Sequence, residues 1–268
     1  MTSKLYFKIT NENEQDYNGF QYADGLNILK NKFNEKTNDL SSTGILYFSD
    51  HENVCSDIYA GIYLREVYLP INNPNFKMIN ARKYYGSNML FFGKRYFLGD
   101  PKTWKYMIST GINIRVNNDY VIKYLAHKGY LDVIKYLHEY GLNIHTDNDH
   151  ALVSASIMGN LNVVKYLVKN GANVNCDYGP LECSCRNGHL DVVKYLVKNG
   201  ADISECNESS LKWAASMNYY EIVKFLVDNG ANIFVDNNHI LEMCLFKNNL
   251  KMVTFLASKG LNNIDSQE

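Results

Sequence analysis

The decapeptide VVKYLVKNGA occurs twice in this chain, at Val163–Ala172 and at Val192–Ala201. The two copies are identical and lie 29 residues apart. Self-similarity at a fixed period is the signature of repeat architectures, in which each repeat packs only against its neighbours. The decapeptide therefore sets the frame in which the rest of the chain is interpreted.

Four further segments align with the decapeptide and its flanking residues. Each aligned segment is preceded by Gly or Asn, spans 11 residues and is followed by Gly. The six segments follow Gly99, Gly129, Gly159, Gly188, Asn218 and Asn248, at intervals of 30, 30, 29, 30 and 30 residues. This regularity predicts six structural repeats, the first of them partial, over residues 99–118, 119–148, 149–177, 178–207, 208–237 and 238–268.

Each repeat is predicted to contain two helices joined by a turn. In the second decapeptide the apolar residues recur at helical spacing and form one buried stripe. Gly200 then supplies the left-handed residue that ends this helix. Asn218 and Asn248 replace the first Gly of two repeats because Asn also tolerates positive φ. A shorter helix is predicted before each first Gly or Asn: Val121–Lys128, Ala151–Met158, Pro180–Asn187, Ser210–Met217 and Ile240–Lys247.

Two of the repeats carry a specific family resemblance. GPLECSCRNGHLDVVKYLVKNGADI and SSLKWAASMNYYEIVKFLVDNGANI resemble the ankyrin repeat, whose pattern is TPLHxAAxxGHLEVVxLLLxxGADVN. The resemblance implies a mainly α solenoid of helix–turn–helix units. The sequence departs from the ankyrin pattern at the tetrapeptide TPLH, which is replaced by YVIK, HALV, GPLE, SSLK and HILE. The usual hydrogen bonds of TPLH are therefore not expected. The period is also shorter than the usual ~33 residues, so we expect stubby fingers at His145–Asp149, Cys176–Tyr178 and Ser204–Glu208.

Residues 1–98 lack the repeat and are predicted to form a small, mainly β (α+β) domain. LYFKIT, GILYF, IYLREVYLP and NMLFFGKRYFL are rich in aromatic and branched residues, which favours strands. Asp50 is predicted to cap a short helix at Glu52–Ala60, and residues 72–75 a turn. No Gly/Ser-rich linker separates this region from the first repeat, so we expect the domain to pack directly on that repeat.

A second resemblance concerns the same N-terminal region. The phrases GFQYADGLNIL, GILYFSD and YLREVYLP are similar to the leader domain that precedes ankyrin repeats in proteins of mimivirus-type giant viruses of amoebae. Heavy use of Asn, Lys, Tyr and Ile agrees with an AT-rich viral genome. The resemblance implies a viral protein acting in the cytoplasm of its host cell, and it implies no activity for the domain.

Charge and hydropathy argue against several partner classes. The formal net charge is -1, without the basic excess that phosphate binding requires, so nucleic acid is not an expected partner. No stretch approaches the ~20 apolar residues of a membrane span, and the first residues do not resemble a secretory signal. Six cysteines in a chain of 268 residues do not form a dense disulfide framework, which favours a reducing compartment.

The cysteines and histidines are interpreted as structural. Cys183 and Cys185, with Cys176, Cys206 and His189 nearby, could suggest a metal site, but the paired spacing of structural zinc sites is absent. On the ankyrin frame Cys185 and Cys244 are assigned to the second Ala of the Ala pair, a small buried position. No histidine is placed near a nucleophile in a recognisable pattern. We therefore predict no catalytic, metal or cofactor site and no enzyme activity.

One alternative places a small-molecule-binding or enzymatic activity in the N-terminal domain, with the repeats delivering it to a substrate. Arg65 and Glu66 are adjacent on a predicted strand and should point to opposite faces, so they do not form a convergent pair. GFQYADGLN lacks the phosphate-loop pattern. A pocket with convergent polar groups would favour this alternative.

The leading hypothesis is a non-enzymatic protein-interaction module. In ankyrin proteins the two residues before the first Gly of each repeat face the concave groove. The resemblance carries this role onto His127, Lys128, Ile157, Met158, Arg186, Asn187, Ser216, Met217, Phe246 and Lys247. Exposed apolar side chains rimmed by polar ones mark binding surfaces, although some of these side chains could instead turn inward. An F-box adaptor is disfavoured because only LNNIDSQE follows Gly260.

Overall fold

The computed structural model describes residues 4–16, 18–35, 44–81, 83–177, 179–235 and 239–260, without the side chains of residues 205–207 and 239. The chain divides into two compact units. The first comprises Met1–Leu125 and Asp132–Asn143, and the second Ala126–Leu131 and Ile144–Glu268. This division groups the strands with the first helices, so it does not test the boundary at residues 98/99, which stays a prediction.

Unit 1 contains two antiparallel sheets. Their strands are β1 (Tyr6–Thr10), β2 (Gly25–Ile28), β3 (Leu46–Phe48), β4 (Tyr63–Tyr68), β5 (Met78–Ala81), β6 (Tyr84–Ser87) and β7 (Met89–Phe97). One sheet has the order β1-β4-β7-β2 and the other β3-β6-β5. An aromatic-rich core fills the space beside them, with Phe48, Val67 and Phe92 among its buried members. Large aromatic rings supply much buried area per residue, which suits a region of short strands.

The predicted strands β1, β3, β4 and β7 are confirmed. Strands β2, β5 and β6 were not predicted, because each is only four residues long and too short to show a clear alternation. The expected short helix is a 3-10 helix that begins later, at Val54–Ala60. Asp50 Oδ1 accepts a hydrogen bond from the backbone N–H of Asn53 (3.2 Å), so it stabilises the turn before this helix.

Arg65 and Glu66 point in different directions, as expected. Arg65 is buried and pairs with Glu14 (3.2 Å) and Asp24. Glu66 instead accepts hydrogen bonds from the hydroxyls of three tyrosines: Tyr68 (2.9 Å), Tyr96 (2.8 Å) and Tyr106 (2.5 Å). Burial alone would raise the pKa of Glu66, but the three hydroxyls outweigh it and lower the pKa below its ordinary value. Because Tyr106 lies on the first α-helix, this carboxylate joins that helix to the sheet.

A buried ion pair lies on β1. Lys8 Nζ contacts Asp16 Oδ2 at 3.4 Å and donates to the carbonyl oxygen of Tyr47 at 3.0 Å. The hydroxyl of Tyr22 donates to the same Asp16 oxygen (2.8 Å). Burial lowers the pKa of the Lys8 ammonium to about 8, even though the Asp16 charge opposes that shift. Burial of a charged amine disfavours its protonated form, so this pair is a local cost to folding that the aromatic core must offset.

The helical region follows the predicted repeat. Its helices are α1 (Pro101–Ser109), α2 (Val116–Lys128), α3 (Leu131–Glu139), α4 (Thr146–Ile157), α5 (Leu161–Lys169), α6 (Pro180–Asn187), α7 (Leu190–Lys198), α8 (Glu205–Ser216), α9 (Tyr220–Asp228), α10 (His239–Phe246) and α11 (Leu250–Ser258). In unit 2 the first helices contact one another in the order α4, α6, α8, α10, and the second helices in the order α5, α7, α9, α11. Both helices of each repeat therefore stack on their equivalents, as a solenoid requires.

The small positions of the first helices are buried, with one correction to the alignment. Cys185 is fully buried and occupies the second small position, equivalent to Ala215. Cys244 is also buried, but in the repeat frame it aligns with Ala214 at the first small position, so its assignment to the second was wrong by one residue. Leu245 takes the second position and is 37% exposed.

The residues between the two helices are left-handed at Gly129, Gly159, Gly188, Asn218 and Asn248, and the first four lie against a side chain of the next repeat. A Cβ built on Gly159 (φ +70°) would lie 2.5 Å from Nδ1 of His189, and one on Gly188 (φ +82°) 2.7 Å from the ring of Tyr219. Asn218 (φ 66°) stands at this position where the next repeat offers the smaller Asn249. Asn also lies over Gly129, where a Cβ would be 2.8 Å from Oδ1 of Asn160, so the size of the facing side chain does not by itself decide whether Gly or Asn stands at this position.

A carboxylate stands directly before three of the altered tetrapeptides. Each accepts a hydrogen bond from the backbone N–H group 24 residues later: Asp119 from Asn143 (3.0 Å), Asp149 from Asn173 (2.8 Å) and Glu208 from Asn232 (2.9 Å). All three carboxylate residues have positive φ. Each bond lies within one repeat and ties the first helix to the segment after the second helix, in repeats that lack the TPLH motif.

The shortened fingers are compact turns. In the first of them, Asp147, Asn148 and Asp149 are successive left-handed residues, a conformation that short polar side chains tolerate best. His145 Nε2 lies 3.1 Å from the carbonyl oxygen of Asn170 in the next repeat. Of the other two predicted fingers, Tyr178 and the side chains of residues 205–207 lie outside the described part of the chain.

The contact over Gly159 gives a stability prediction. Gly159→Ala would place a methyl group at positive φ and also against the ring of His189, whose Nε2 is held 2.9 Å from the carbonyl oxygen of Ile157. We expect a loss of about 1–2 kcal/mol for the backbone strain and about 1–3 kcal/mol more for overpacking. Urea unfolding measures the sum.

Gly200→Ala is the matched control. Gly200 also has positive φ (+89°), but a Cβ there would meet nothing within 4 Å, so only the strain is expected. Equal losses for the two variants would contradict the proposed role of the contact between repeats.

The Lys8 pair predicts a pH dependence of stability. The pKa of Lys8 is about 8 in the folded chain and 10.5 as an ordinary value, so the unfolded chain binds more protons between these pH values. The free energy of unfolding should therefore rise with pH across this window, by at most about 3 kcal/mol. Chemical denaturation at pH 7 to 10 of the wild type and Lys8→Met measures it. A difference between the two that does not change with pH would refute the assignment.

Candidate protein-binding surface

The ten predicted site residues lie at or directly after the ends of the first helices α2, α4, α6, α8 and α10. His127, Ile157 and Ser216 are half-buried. Seven are exposed: Lys128, Met158, Arg186, Asn187, Met217, Phe246 and Lys247. All ten belong to unit 2. The sequence pattern therefore identifies equivalent positions on five successive repeats, and most of these side chains reach solvent.

The apolar members are exposed to different degrees. Met158 is 45% exposed, Met217 42% and Phe246 91%. Ile157, by contrast, is half-buried. The alternative that some of these side chains turn inward therefore applies to Ile157 but not to the three exposed ones. Apolar side chains as exposed as Phe246 are uncommon and are typical of contact surfaces when polar residues surround them.

Backbone bonds to the next repeat fix the direction of these positions. The side-chain amide of Asn160 donates to the carbonyl oxygens of Ala126 (2.8 Å) and His127 (2.9 Å). His189 makes the equivalent contact to the carbonyl oxygen of Ile157 (2.9 Å), and Lys247, at a different position in its repeat, donates to the carbonyl oxygen of Ser216. Because the main chain is held in this way, the surface is pre-organised and a partner need not order it on binding.

The charge of this set is one-sided. Lys128, Arg186 and Lys247 are cations, and none of the ten residues is acidic. Burial, followed by the charge of Lys128, lowers the pKa of His127, so this histidine is neutral at pH 7. The surface combines exposed apolar side chains with three positive charges.

The sequence-based prediction missed Trp213. The guanidinium of Arg186 lies 4.3 Å from the centroid of the Trp213 ring in the next repeat, and this stacking holds the cation in place. A signal for Trp213 was present in the sequence. It lies five residues before Asn218, one helical turn before the predicted site residues Ser216 and Met217. The equivalent residues in other repeats are Ser154 and Cys183. A large aromatic residue at a variable position beside the groove is typical of a contact surface.

The N-terminal region offers two depressions of different character. The smaller, about 60 Å³, is lined by polar groups that include Lys8, Asn11, Gln15 and Asp16. The larger, about 550 Å³, lies beside β2 and is lined by a mixture of apolar and amide side chains. Polar groups converge in the smaller one, but its volume is well below the ~300–1,000 Å³ typical of ligand pockets.

Of the five cysteines that the structure describes, four occupy core positions and Cys183 is half-buried. Cys55, Cys176, Cys185 and Cys244 are buried. Burial raises the pKa of the Cys55 and Cys185 thiols to about 12, which keeps them protonated and weakly nucleophilic. Within the part of the chain that the structure describes, no three His, Cys, Asp or Glu side chains are placed to hold a metal ion. None of its helices is long and apolar enough to cross a membrane.

Comparison with known proteins bears on the repeats. The family model for ankyrin repeats (three copies) matches residues 95–178 and again residues 181–267, which together make up more than half of the chain. The match begins near the end of β7, so it does not address the strands before it.

Relatives come from Acanthamoeba polyphaga mimivirus. An uncharacterized protein of that virus is 51% identical over 135 residues, which cover 50% of this chain and 97% of the relative. Two of its ankyrin repeat proteins are 47% and 45% identical, over 50% and 48% of this chain and over 67% and 39% of their own lengths. The chain belongs to the ankyrin-repeat family and is similar to the mimivirus members of it.

Proposed function

We propose that the chain is a non-enzymatic protein-interaction module that binds its partner through the concave ankyrin groove. Ankyrin repeats generally mediate protein–protein interaction. The observation that supports binding through the groove is the exposure of Met158, Met217 and Phe246 at the groove positions of three repeats. Stacking within the solenoid does not require large apolar side chains there, since other repeats have Lys128 or Asn187 in place of the methionines and Arg186 or Ser216 in place of Phe246.

The charges and the exposed apolar side chains of this surface support one chemistry for the partner. Three cations without an acidic neighbour among the ten residues favour an acidic partner segment, and the exposed methionines and phenylalanine favour apolar anchors within it. Met accommodates varied partner shapes because its side chain is unbranched and flexible. We infer a partner segment with apolar side chains flanked by Asp or Glu.

The relatives support a partner that is present during an amoebal infection. Because the similar proteins belong to a virus of Acanthamoeba, the partner is inferred to be a host or viral protein in the cytoplasm of the infected cell. Nucleic acid and membrane are not proposed as partners, as the formal net charge of -1 offers no basic excess.

The second candidate function is an activity in the N-terminal region. The small polar cavity beside Lys8 and Asp16 is the observation that favours it. Its volume suits a few water molecules, and the Lys8 amine already donates to Asp16 and Tyr47. The interaction function therefore remains the better supported of the two.

Groove recognition predicts that charge at the three apolar positions abolishes partner capture. The full chain is immobilised, exposed to lysate from infected Acanthamoeba cells, and bound proteins are quantified by mass spectrometry. The triple variant Met158→Asp, Met217→Asp and Phe246→Asp should recover at least about tenfold less partner than the wild type, because buried apolar anchors carry most binding energy.

The matched control changes the same three positions to leucine. It keeps an apolar side chain at each site and should retain most of the capture, while circular dichroism checks that both variants fold. Equal recovery by wild type and the aspartate variant would disprove the groove assignment.

A further inference from the structure

Strand β2 forms an edge of the larger sheet in unit 1. In the order β1-β4-β7-β2 it pairs with β7 on one side. At the opposite end of this sheet β1 is joined to the β3 region by paired bonds between Phe7 and Ser49. Within the described residues no strand pairs with the outer side of β2. An edge of this kind presents backbone N–H and C=O groups that another extended chain can pair with.

The usual protection of a free edge is missing from β2. Proteins commonly place Lys, Pro or another inward-pointing charge on edge strands to prevent association. Strand β2 reads Gly-Leu-Asn-Ile and carries no charge or proline. Asn27 is buried, and its side-chain amide bonds to Ala23 and Gly25, so it fixes the strand without covering its edge.

The side chains on the open face of β2 are apolar. Leu26 is 44% exposed and Ile28 48%. Leu26 is paired with Phe91 on β7, and Phe91 with Tyr68 on β4, and both aromatic residues are also exposed. Residues paired across antiparallel strands share one face, so Leu26, Phe91 and Tyr68 form an exposed apolar row that ends at the free edge.

The larger N-terminal depression lies along this edge. It has a volume of about 550 Å³, and its lining includes Phe20, Leu26, Ile28 and Leu29. Lys30 is the one charged side chain among the described residues that line it. An occupant would therefore meet apolar side chains along β2 and a single positive charge just beyond its end.

We propose that β2 is a docking site for an extended peptide segment of a partner protein, which adds to the sheet as a fifth, antiparallel strand. The added strand continues the backbone pairing that joins β7 to β2, and its alternate apolar side chains pack against Leu26 and Ile28. Charge complementarity with Lys30 selects a peptide with an acidic residue at the corresponding end. This site belongs to unit 1 and is independent of the groove in unit 2.

The test uses a defined probe. A fluorescent synthetic peptide that alternates valine and threonine and carries glutamates at its N-terminal end, the end that antiparallel pairing places near Lys30, is titrated into the full chain and followed by anisotropy. Wild type should bind it, and Leu26→Glu should weaken binding at least about tenfold through charge repulsion and lost apolar contact. Hydrogen exchange should show that the amides of Leu26 and Ile28, which face away from β7, become protected when the peptide binds.

Two controls separate strand addition from nonspecific adsorption of the peptide to exposed apolar side chains. Leu250→Glu places the same change on an exposed leucine of a helix in unit 2 and should bind the peptide like wild type. A peptide with proline at its central positions cannot pair and should not bind.

Three results would each overturn the proposal. The first is that the wild type fails to bind the probe, or that Leu26→Glu or the proline peptide binds equally well. The second is that the amides of Leu26 and Ile28 are already protected in the free, monomeric chain, which would show that another part of the chain occupies the edge. The third is that their protection rises with protein concentration alone, which would show pairing with a second copy.

Discussion

The repeat region depends on the contact between the left-handed residue that separates the two helices of one repeat and a side chain of the next repeat. His189 lies over Gly159, and Tyr219 over Gly188. Each contact places a polar or aromatic group of one repeat where any side chain on the previous one would collide with it. The left-handed residue therefore does two things: it reverses the chain between the two helices, and it sets the distance to the next repeat. This explains why only Gly or Asn is found at this position.

The repeated decapeptide has its physical role in the same stack. Its lysine and its aromatic residue form a ladder between successive second helices: Lys165 to Tyr195 (6.0 Å), Lys194 to Phe225 (5.9 Å) and Lys224 to Phe255 (5.9 Å), measured from Nζ to the ring centroid. Each exposed contact of this type contributes about 0.5–1 kcal/mol. The identity of the two copies follows from an identical packing task, whereas recognition is assigned to the positions at which the repeats differ.

Much of the helical region could be predicted because its signals are local and recur six times. The spacing of apolar residues predicted the second helices, and the flanking Gly or Asn residues predicted where they begin and end. Asn218, which precedes one of these helices, has the expected positive φ. The bonds that Asp149 and Glu208 accept from backbone N–H groups later in the same repeat could not be predicted, since they join residues 24 positions apart through a backbone conformation that the residue types alone do not specify. The exposure of Phe246 could be expected from its repeat position, whereas the inward turn of Ile157 depends on packing that no single repeat encodes.

The N-terminal region was predictable only where its strands are long. Strand β7 has nine residues and a strong aromatic content, but β2 has four residues and becomes recognisable as a strand only through its pairing with β7. That β2 lies at a free edge follows from the order of the strands in the sheet, which the sequence of β2 alone does not show. Two distinct surfaces thus arise from different causes: the groove from variation on a constant scaffold, and the edge from the place at which a sheet ends.

The central claim, that recognition occurs at the variable groove positions, is tested most directly by site-specific photo-crosslinking in infected amoebal lysate. A photoreactive amino acid replaces Met217 in one sample and Lys224, an exposed residue on the second helix of the same repeat, in another. The account predicts a discrete crosslinked partner from position 217 and none from position 224. A partner crosslinked from position 224 alone would contradict it.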